Sequence, residues 1–532
     1  MNGYLIALIV FLAWVGIVFI LNRVKWFEKH SMSLQGPIIM WKTRRGRDLI
    51  ELLASKKRLW DFYGKVSLWI CAISMAIIMT LLLWEATIVT QVDRAPSPEL
   101  ILGIPGINPV IPVGYGILGL LIAIVVHEFA HGILTRIGGI KVQSLGLVFL
   151  VFPIGAFVEP DEEEMKKTTR SKRSKVFAAG PASNIVIAMI VLSLFSGVMM
   201  SSLEPGAVGA LARGVVEGSP AQMAGIVPSS VILAVSHETV RSAEDLTSHV
   251  SNEPGSTIDI DYAFEGENKI AVVVDGIVVS FVAENYAAHE AGVRAGMVLV
   301  ALNGTELANV GMISEVMSEC RAGQTVPVVV MSYYSNVSRF AVNYSITDIT
   351  LSDKWEYYEE FTPSKNDDSY RGKPFLGGGF LYLGIDAVDS SYYSDILANP
   401  FEGDRNLDDF SRSWLRLIAL PFLDLAPLRS PVTDLYVPSG YLEWMPESVF
   451  WLLANSLYWI FWLNLMVGLT NVLPAVPLDG GYIFRDGISY LLDKTGRKYT
   501  SEQKDRITGS VSISLALMVL FLIVWQLVGP AF

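Results

Sequence analysis

His127-Glu128-Phe129-Ala130-His131 lies inside an apolar stretch that runs from about residue 113 to residue 133. On a helix, residues four apart share a face, so both imidazoles can hold one metal ion. The carboxylate between them can then serve as general base on a water that the ion activates. Ionisable side chains are costly in a bilayer, so two His and a Glu in an apolar span mark a functional site. A zinc site needs a third protein ligand and one position left for water. Asp479 is the candidate, in Asn471-Val472-Leu473-Pro474-Ala475-Val476-Pro477-Leu478-Asp479-Gly480-Gly481. The prolines end a helix there, and the two glycines allow close approach.

The elements that must position these groups are membrane spans. Of 532 residues, 52% are hydrophobic and 17% charged, which is few charges for a soluble protein. Apolar runs occupy roughly 4–21, 66–90, 113–135, 176–200, 449–473 and 508–529, each near the ~20 residues that cross a bilayer. The first run begins at Gly3 with no basic segment before it, and reads as a retained anchor rather than a signal peptide. Basic residues crowd into 22–65, 164–175 and 482–507, which the positive-inside rule makes cytoplasmic. A six-span path from outside satisfies all three. It leaves both chain ends, the loop 91–112 and the long segment 201–447 external. His131 lies about five residues before Arg136, or ~8 Å along a helix, and the span 449–473 runs in the same inward direction. The three ligands therefore reach one depth, near the cytoplasmic face. The net charge of −12 argues against a nucleic-acid partner. Cys71 and Cys320 alone argue against a disulfide framework.

Residues 142–158 form a seventh apolar run, rich in β-branched and aromatic residues and broken by Pro153 and Gly155. Counted as a span it would break the charge pattern. It reads as a re-entrant hairpin, tolerated at membrane depth only against protein; an interfacial strand pair without a catalytic part fits the same residues. The external segment holds an imperfect repeat. Val215–Gly225 leads into Val231–Val235, and His289–Gly296 leads into Met297–Gly304. Each copy reads as strand, small-residue turn, strand, tight turn and helix (Ser242–Val250 and Val310–Ser318), and each resembles a PDZ domain, which takes up peptides by strand addition. Beyond them, Asn336 and Asn343 start glycosylation triplets, Gly377-Gly378-Gly379 suggests β structure and loops, and Trp414–Leu425 is too short to span and suits the outer membrane surface or a core. Glu85 reads as interfacial, and His30, His237, His249 and His289 as surface residues.

Taken together, His127-Glu128-Phe129-Ala130-His131, Gly180-Pro181-Ala182-Ser183-Asn184 and Asn471…Leu478-Asp479-Gly480 resemble the site-2 protease family of intramembrane zinc metalloproteases. The resemblance covers roughly 113–334 and 449–485. It implies Zn2+ held by His127, His131 and Asp479, with Glu128 as catalytic acid/base and Asn184 positioning substrate or the oxyanion. It implies transmembrane protein substrates, cut within a single span after a first external cut. Such a helix must unwind before it can present a carbonyl, and the 142–158 hairpin suits the unwound segment as an added strand. The expected fold is a polytopic α-helical bundle of about six spans, with a re-entrant β-hairpin and inserted external α+β PDZ-like domains. Its divisions are 1–112, N-terminal spans and cytoplasmic loop; 113–200, first half of the catalytic core; 201–275 and 276–334, PDZ-like domains whose grooves suit peptide termini; 335–448, an external β-rich and loop segment; and 449–532, second half of the core. Three other readings fit less of the sequence: a membrane protease with Glu as third ligand, a non-catalytic PDZ-type receptor and a metal transporter.

Overall fold

The computed structural model describes residues 3–30, 32–43, 46–91, 95–101, 103–251, 253–336, 339–423, 425–495 and 499–531. Arg44, Arg45, Arg497 and Lys498 of the basic segments, and Ser338 of the first glycosylation triplet, lie outside the described residues. The chain divides into two compact units. One comprises Met1–Met199, Ser411–Pro427 and Leu452–Phe532; the other comprises Met200–Phe410 and Leu428–Trp451.

The first unit is built on helices α1 (Gly3–Arg23), α2 (Lys57–Ile88), α3 (Val113–Ile137), α4 (Arg170–Leu194), α5 (Glu447–Asn471), α6 (Asp479–Lys494) and α7 (Ser501–Val528). Among the described residues, five helical segments are long and apolar enough to cross a membrane: Lys57–Gln91, Val113–Ile137, Arg170–Ser202, Glu447–Asn471 and Ser501–Ala531. The sixth apolar run lies in α1, of which Ile9–Arg23 counts as a shorter apolar helix. α3 starts directly after Pro112 and stops at Gly138, followed by Gly139 at φ +83°. Small residues let the helices approach closely, as is usual between membrane helices. A Cβ on Gly119 of α3 would come within 2.8 Å of the Trp459 carbonyl oxygen on α5. One on Gly468 of α5 would come within 3.1 Å of the Pro181 carbonyl oxygen on α4.

Polar groups tie α6 and α2 to α4. Arg173 donates from Nε to Asp486 Oδ2 of α6 at 3.0 Å, and Ser174 donates to the same oxygen at 3.1 Å. Arg170 pairs with Asp493 of α6, and Lys175 donates to Asp61 of α2 at 2.8 Å. Three basic residues assigned to a cytoplasmic loop therefore make internal pairs as well. Glu85, expected to be interfacial, accepts from Gln526 of α7 at 2.5 Å.

A four-stranded antiparallel sheet leans on this bundle. Its order is β1 (Met32–Gln35), β2 (Ile38–Thr43), β3 (Val142–Leu150), β4 (Phe152–Pro160). The expected hairpin at 142–158 is β3–β4. The loop 22–65 is not a plain connector, because its strands β1 and β2 extend that hairpin on the β3 side. The Gly36-Pro37 turn between two apolar runs was the available signal. β4 is left as the edge strand and packs on α3.

The second unit contains two six-stranded antiparallel sheets of like order. The first runs β8 (Glu267–Val274), β7 (Thr257–Phe264), β6 (Val231–Val235), β5 (Ala210–Val215), β14 (Ile385–Asp389), with Glu238–Thr239 beside β6. The second runs β12 (Arg339–Thr350), β11 (Thr325–Asn336), β10 (Val298–Leu302), β9 (Ile277–Val282), β13 (Gly378–Tyr382), with Thr305–Glu306 beside β10. The repeat in the sequence is thus two matching sheets. The boundaries at 275 and 334 do not close them, since β12, β13 and β14 come from later in the chain. β13 and β14 are consecutive strands joined through Leu383 and Gly384, and each completes a different sheet. Tyr382 and Leu383 are buried in the core of the first sheet, and the Tyr382 hydroxyl donates to Asp275 at 2.8 Å. His249 is not a plain surface residue, because its ring lies 5.4 Å from that of Tyr382. Helix Leu407–Ala419 covers part of the expected interfacial run. In the stretch 414–423, Leu415, Phe422 and Leu423 are exposed, while Leu417 and Leu420 are buried. The Leu417 carbonyl accepts from Tyr458 of α5 at 2.8 Å.

Leu383→Ala should cost about 2–5 kcal/mol, the usual loss for a buried Leu. Because β13 and β14 are joined at this residue, limited proteolysis of the full chain should show new cuts in both sheets. Cuts confined to the first sheet would show that the two fold independently.

Candidate metal centre

α3 presents His127 and His131 one turn apart, with rings edge to face and centroids 4.6 Å apart. Their Nε2 atoms are 3.0 Å from each other. Asp479 Oδ2 lies 3.1 Å from His127 Nε2 and 3.2 Å from His131 Nε2. Among the described residues, these three form the one His/Cys/Asp/Glu group whose donor atoms converge enough to hold a metal ion. His127 is buried and the other two are half-buried.

The residues fit a zinc ion. Two imidazoles and a carboxylate are a zinc-type donor set that leaves a fourth position open. Ligands held at about 2.0–2.1 Å in a tetrahedron stand roughly 3.4 Å apart, close to the spacing seen here. Three potential ligand atoms brought this near one another suit a cation between them. The cradle is completed by Gly180 of α4. A Cβ there would come within 2.6 Å of His127 Nε2 and closer still to His131 Nε2.

Each of these candidate donor groups is aimed by its surroundings. His131 Nδ1 is 2.7 Å from the Val176 carbonyl oxygen of α4. A carbonyl only accepts, so Nδ1 carries the proton and Nε2 keeps its lone pair for the metal. Asp479 is the first residue of α6, where the helix dipole favours a carboxylate. The α5–α6 turn is compact: a Cβ on Gly480 would overlap the Val472 carbonyl, and one on Gly481 would come within 2.5 Å of Val476 N. The Arg173–Asp486 pair and the Phe177–Tyr482 stack, with centroids 4.6 Å apart, hold α6 against α4.

Glu128, next to His127, stays outside the three-residue cluster. Its Oε2 accepts from the Val158 amide of β4 at 2.9 Å. The carboxylate is therefore fixed beside the edge strand. Asn184 is fully buried, with Nδ2 3.2 Å from His127 Nδ1. His127, His131, Asp479 and Asn184 thus meet at one place, and Glu128 follows His127 on the same helix with its carboxylate on β4. What sequence reasoning missed are the Val176 carbonyl, the Val158 amide and the contact at Gly180. The first two are backbone groups that leave no mark in the sequence; the third was signalled by the small-residue run Gly180-Pro181-Ala182.

Gly180→Ala should displace both imidazoles and reduce zinc in detergent-purified protein from near one per chain to a small fraction, as should His131→Ala. Elemental analysis after a brief chelator wash checks this. Full zinc in Gly180→Ala would mean that the ion does not sit against α4.

Among curated proteins, an uncharacterised protein of Methanocaldococcus jannaschii is 37% identical over 160 residues, covering 29% of this chain and 42% of that protein. The zinc metalloprotease RasP of Shouchella clausii is 31% identical over 117 residues, covering 21% of this chain and 26% of that protein. The chain thus spans less than half the length of these two relatives. The model of peptidase family M50 matches residues 115–520, which contain both His residues, Asn184 and Asp479, and the chain belongs to that family.

Proposed function

We propose that this chain is a membrane zinc metalloendopeptidase that cuts peptide bonds within transmembrane segments of single-span proteins. The observation that carries the reading is the convergence of His127, His131 and Asp479, with both His residues and Glu128 on a helix apolar enough to cross a membrane. Membership of peptidase family M50 supports it.

Zinc, when bound, supplies Lewis-acid polarisation of the scissile carbonyl and lowers the pKa of water. The chain's own groups do the rest. Glu128 takes a proton from the attacking water at its carboxylate and returns it to the leaving amine. The Val158 amide keeps that carboxylate turned toward β4. A substrate helix has its amides engaged, so it must unwind locally; the edge strand β4, apart from the Val158 amide held by Glu128, gives the unwound strand backbone partners. Helix-destabilising residues in the substrate therefore speed cleavage. The positive-inside rule applied to the basic segments supports a centre near the cytoplasmic face and residues 201–447 outside. There the paired sheets, as PDZ-like modules, act as a size filter that admits helices with a short external stub, as left by a first external cut.

Glu128→Gln should keep the zinc and slow cleavage of a reconstituted single-span substrate by at least ~10²-fold, the general-base contribution. Wild-type turnover in this variant would assign the base elsewhere.

The filter is tested by deletion. Removing 208–334 alone would leave β13 and β14 without partners, so the deletion should run from 208 to 391. The shortened chain should cleave a substrate with its full ectodomain while cutting the trimmed form at nearly the original rate. Loss of cleavage of the trimmed form, with zinc retained, would instead make the modules recruiters of substrate.

A further inference from the structure

Both imidazoles are approached from α4, but only one has its proton accounted for. His131 Nδ1 donates to the Val176 carbonyl, so its Nε2 lone pair is free. For His127 Nε2 to bind the same ion, His127 Nδ1 must likewise carry the proton and needs an acceptor. The group at that nitrogen is the Asn184 side chain, 3.2 Å away and wholly buried. In the orientation shown, Nδ2 faces the ring, and Oδ1 is buried without a hydrogen-bond partner. That orientation suits a His127 whose proton is on Nε2, the tautomer that cannot bind metal there. A half-turn about χ2 exchanges the two amide atoms with almost no change of shape. Oδ1 then accepts from His127 Nδ1–H, and the stranded acceptor is satisfied.

We propose that Asn184 is a positioning residue whose side-chain carbonyl accepts from His127 Nδ1–H and holds the tautomer that turns Nε2 toward the metal. This rests on the reading of His127, His131 and Asp479 as zinc ligands. It gives Asn184 a role on the ligand itself, distinct from contact with substrate or oxyanion. The site is confined: a Cβ on Gly468 of α5 would come within 3.4 Å of the Asn184 Cβ. Asn184 is thus pinned between α3 and α5, and an isosteric replacement keeps the carbonyl in place. The turned Nδ2 then points where Oδ1 now lies.

The test is zinc affinity of the full-length protein in detergent, read by competition with a chromogenic chelator. Asn184→Ala removes the acceptor and should weaken zinc binding by about 10–100-fold, the usual effect of losing a partner behind a metal ligand. Asn184→Asp keeps an acceptor of the same size and should bind within a few-fold of wild type. Cobalt loaded in place of zinc should give the wild-type visible spectrum in the Asp variant and an altered one in the Ala variant. Wild-type affinity in Asn184→Ala, or an Asp variant as weak as the Ala variant, would overturn the proposal. Failure of the underlying ligand assignment reads differently: His131→Ala would then bind zinc as tightly as wild type, whatever stands at 184.

Discussion

The centre depends on how closely α4 lies against α3. Where Gly180 meets the two imidazoles there is no room for one carbon atom more. That contact puts α4's backbone beside the ring nitrogens, so the Val176 carbonyl reaches His131 and the Asn184 amide reaches His127. In water such partners would be optional. In an apolar bundle every polar atom needs a protein partner, so the helix that packs closest must also supply the hydrogen bonds. The same helix fixes the position of Asp479. Asp486, 7% exposed, takes the Arg173 guanidinium and Ser174 hydroxyl, and it lies two turns beyond Asp479 on α6. A buried ion pair is weak as a source of stability, but it holds the position and rotation of α6, and with them the direction of Asp479.

Glu128 is governed by a different element. It follows His127 in sequence, yet its carboxylate turns away from the three-residue cluster to a backbone amide of β4. This separation matters chemically. A carboxylate drawn into the ligand set would lose the lone pair that a base must keep. Edge strand and carboxylate are thereby fixed together: whatever extended chain lies along β4 also lies beside Glu128. The sheet that carries β4 is wider than a hairpin because β1 and β2 back it, and an edge strand with three strands behind it resists the deformation that an isolated hairpin allows.

Much of this was legible in the sequence because membrane cost makes the signal sharp. His127, Glu128 and His131 stand out among apolar residues, and the charge pattern and prolines placed Asp479 at matching depth. The internal repeat was legible through its small-residue turns, such as Gly292 and Gly296 before Asn303-Gly304. Three things were not legible. Backbone partners carry no side-chain signature, so Val158 and Val176 look like ordinary apolar residues. Residues 32–43 were masked by their basic surroundings, which read as a loop. The strands β13 and β14 are only five residues each and lie far from the sheets they join, and long-range pairing of short strands leaves almost no local pattern.

The second unit shows what such distant pairing does. β13 and β14 are separated by Leu383 and Gly384, both at positive φ. For Leu383 that backbone region is uncommon, and burial of its side chain in the first sheet's core opposes any relaxation. The turn is therefore held by packing rather than by local preference. One short segment then supplies an edge to each sheet, and the Tyr382 at the end of β13 reaches the Asp275 carboxylate that closes β8. Neither sheet can release its strand without pulling on the other. Two modules that read as beads along the sequence are thus tied to each other through one short turn.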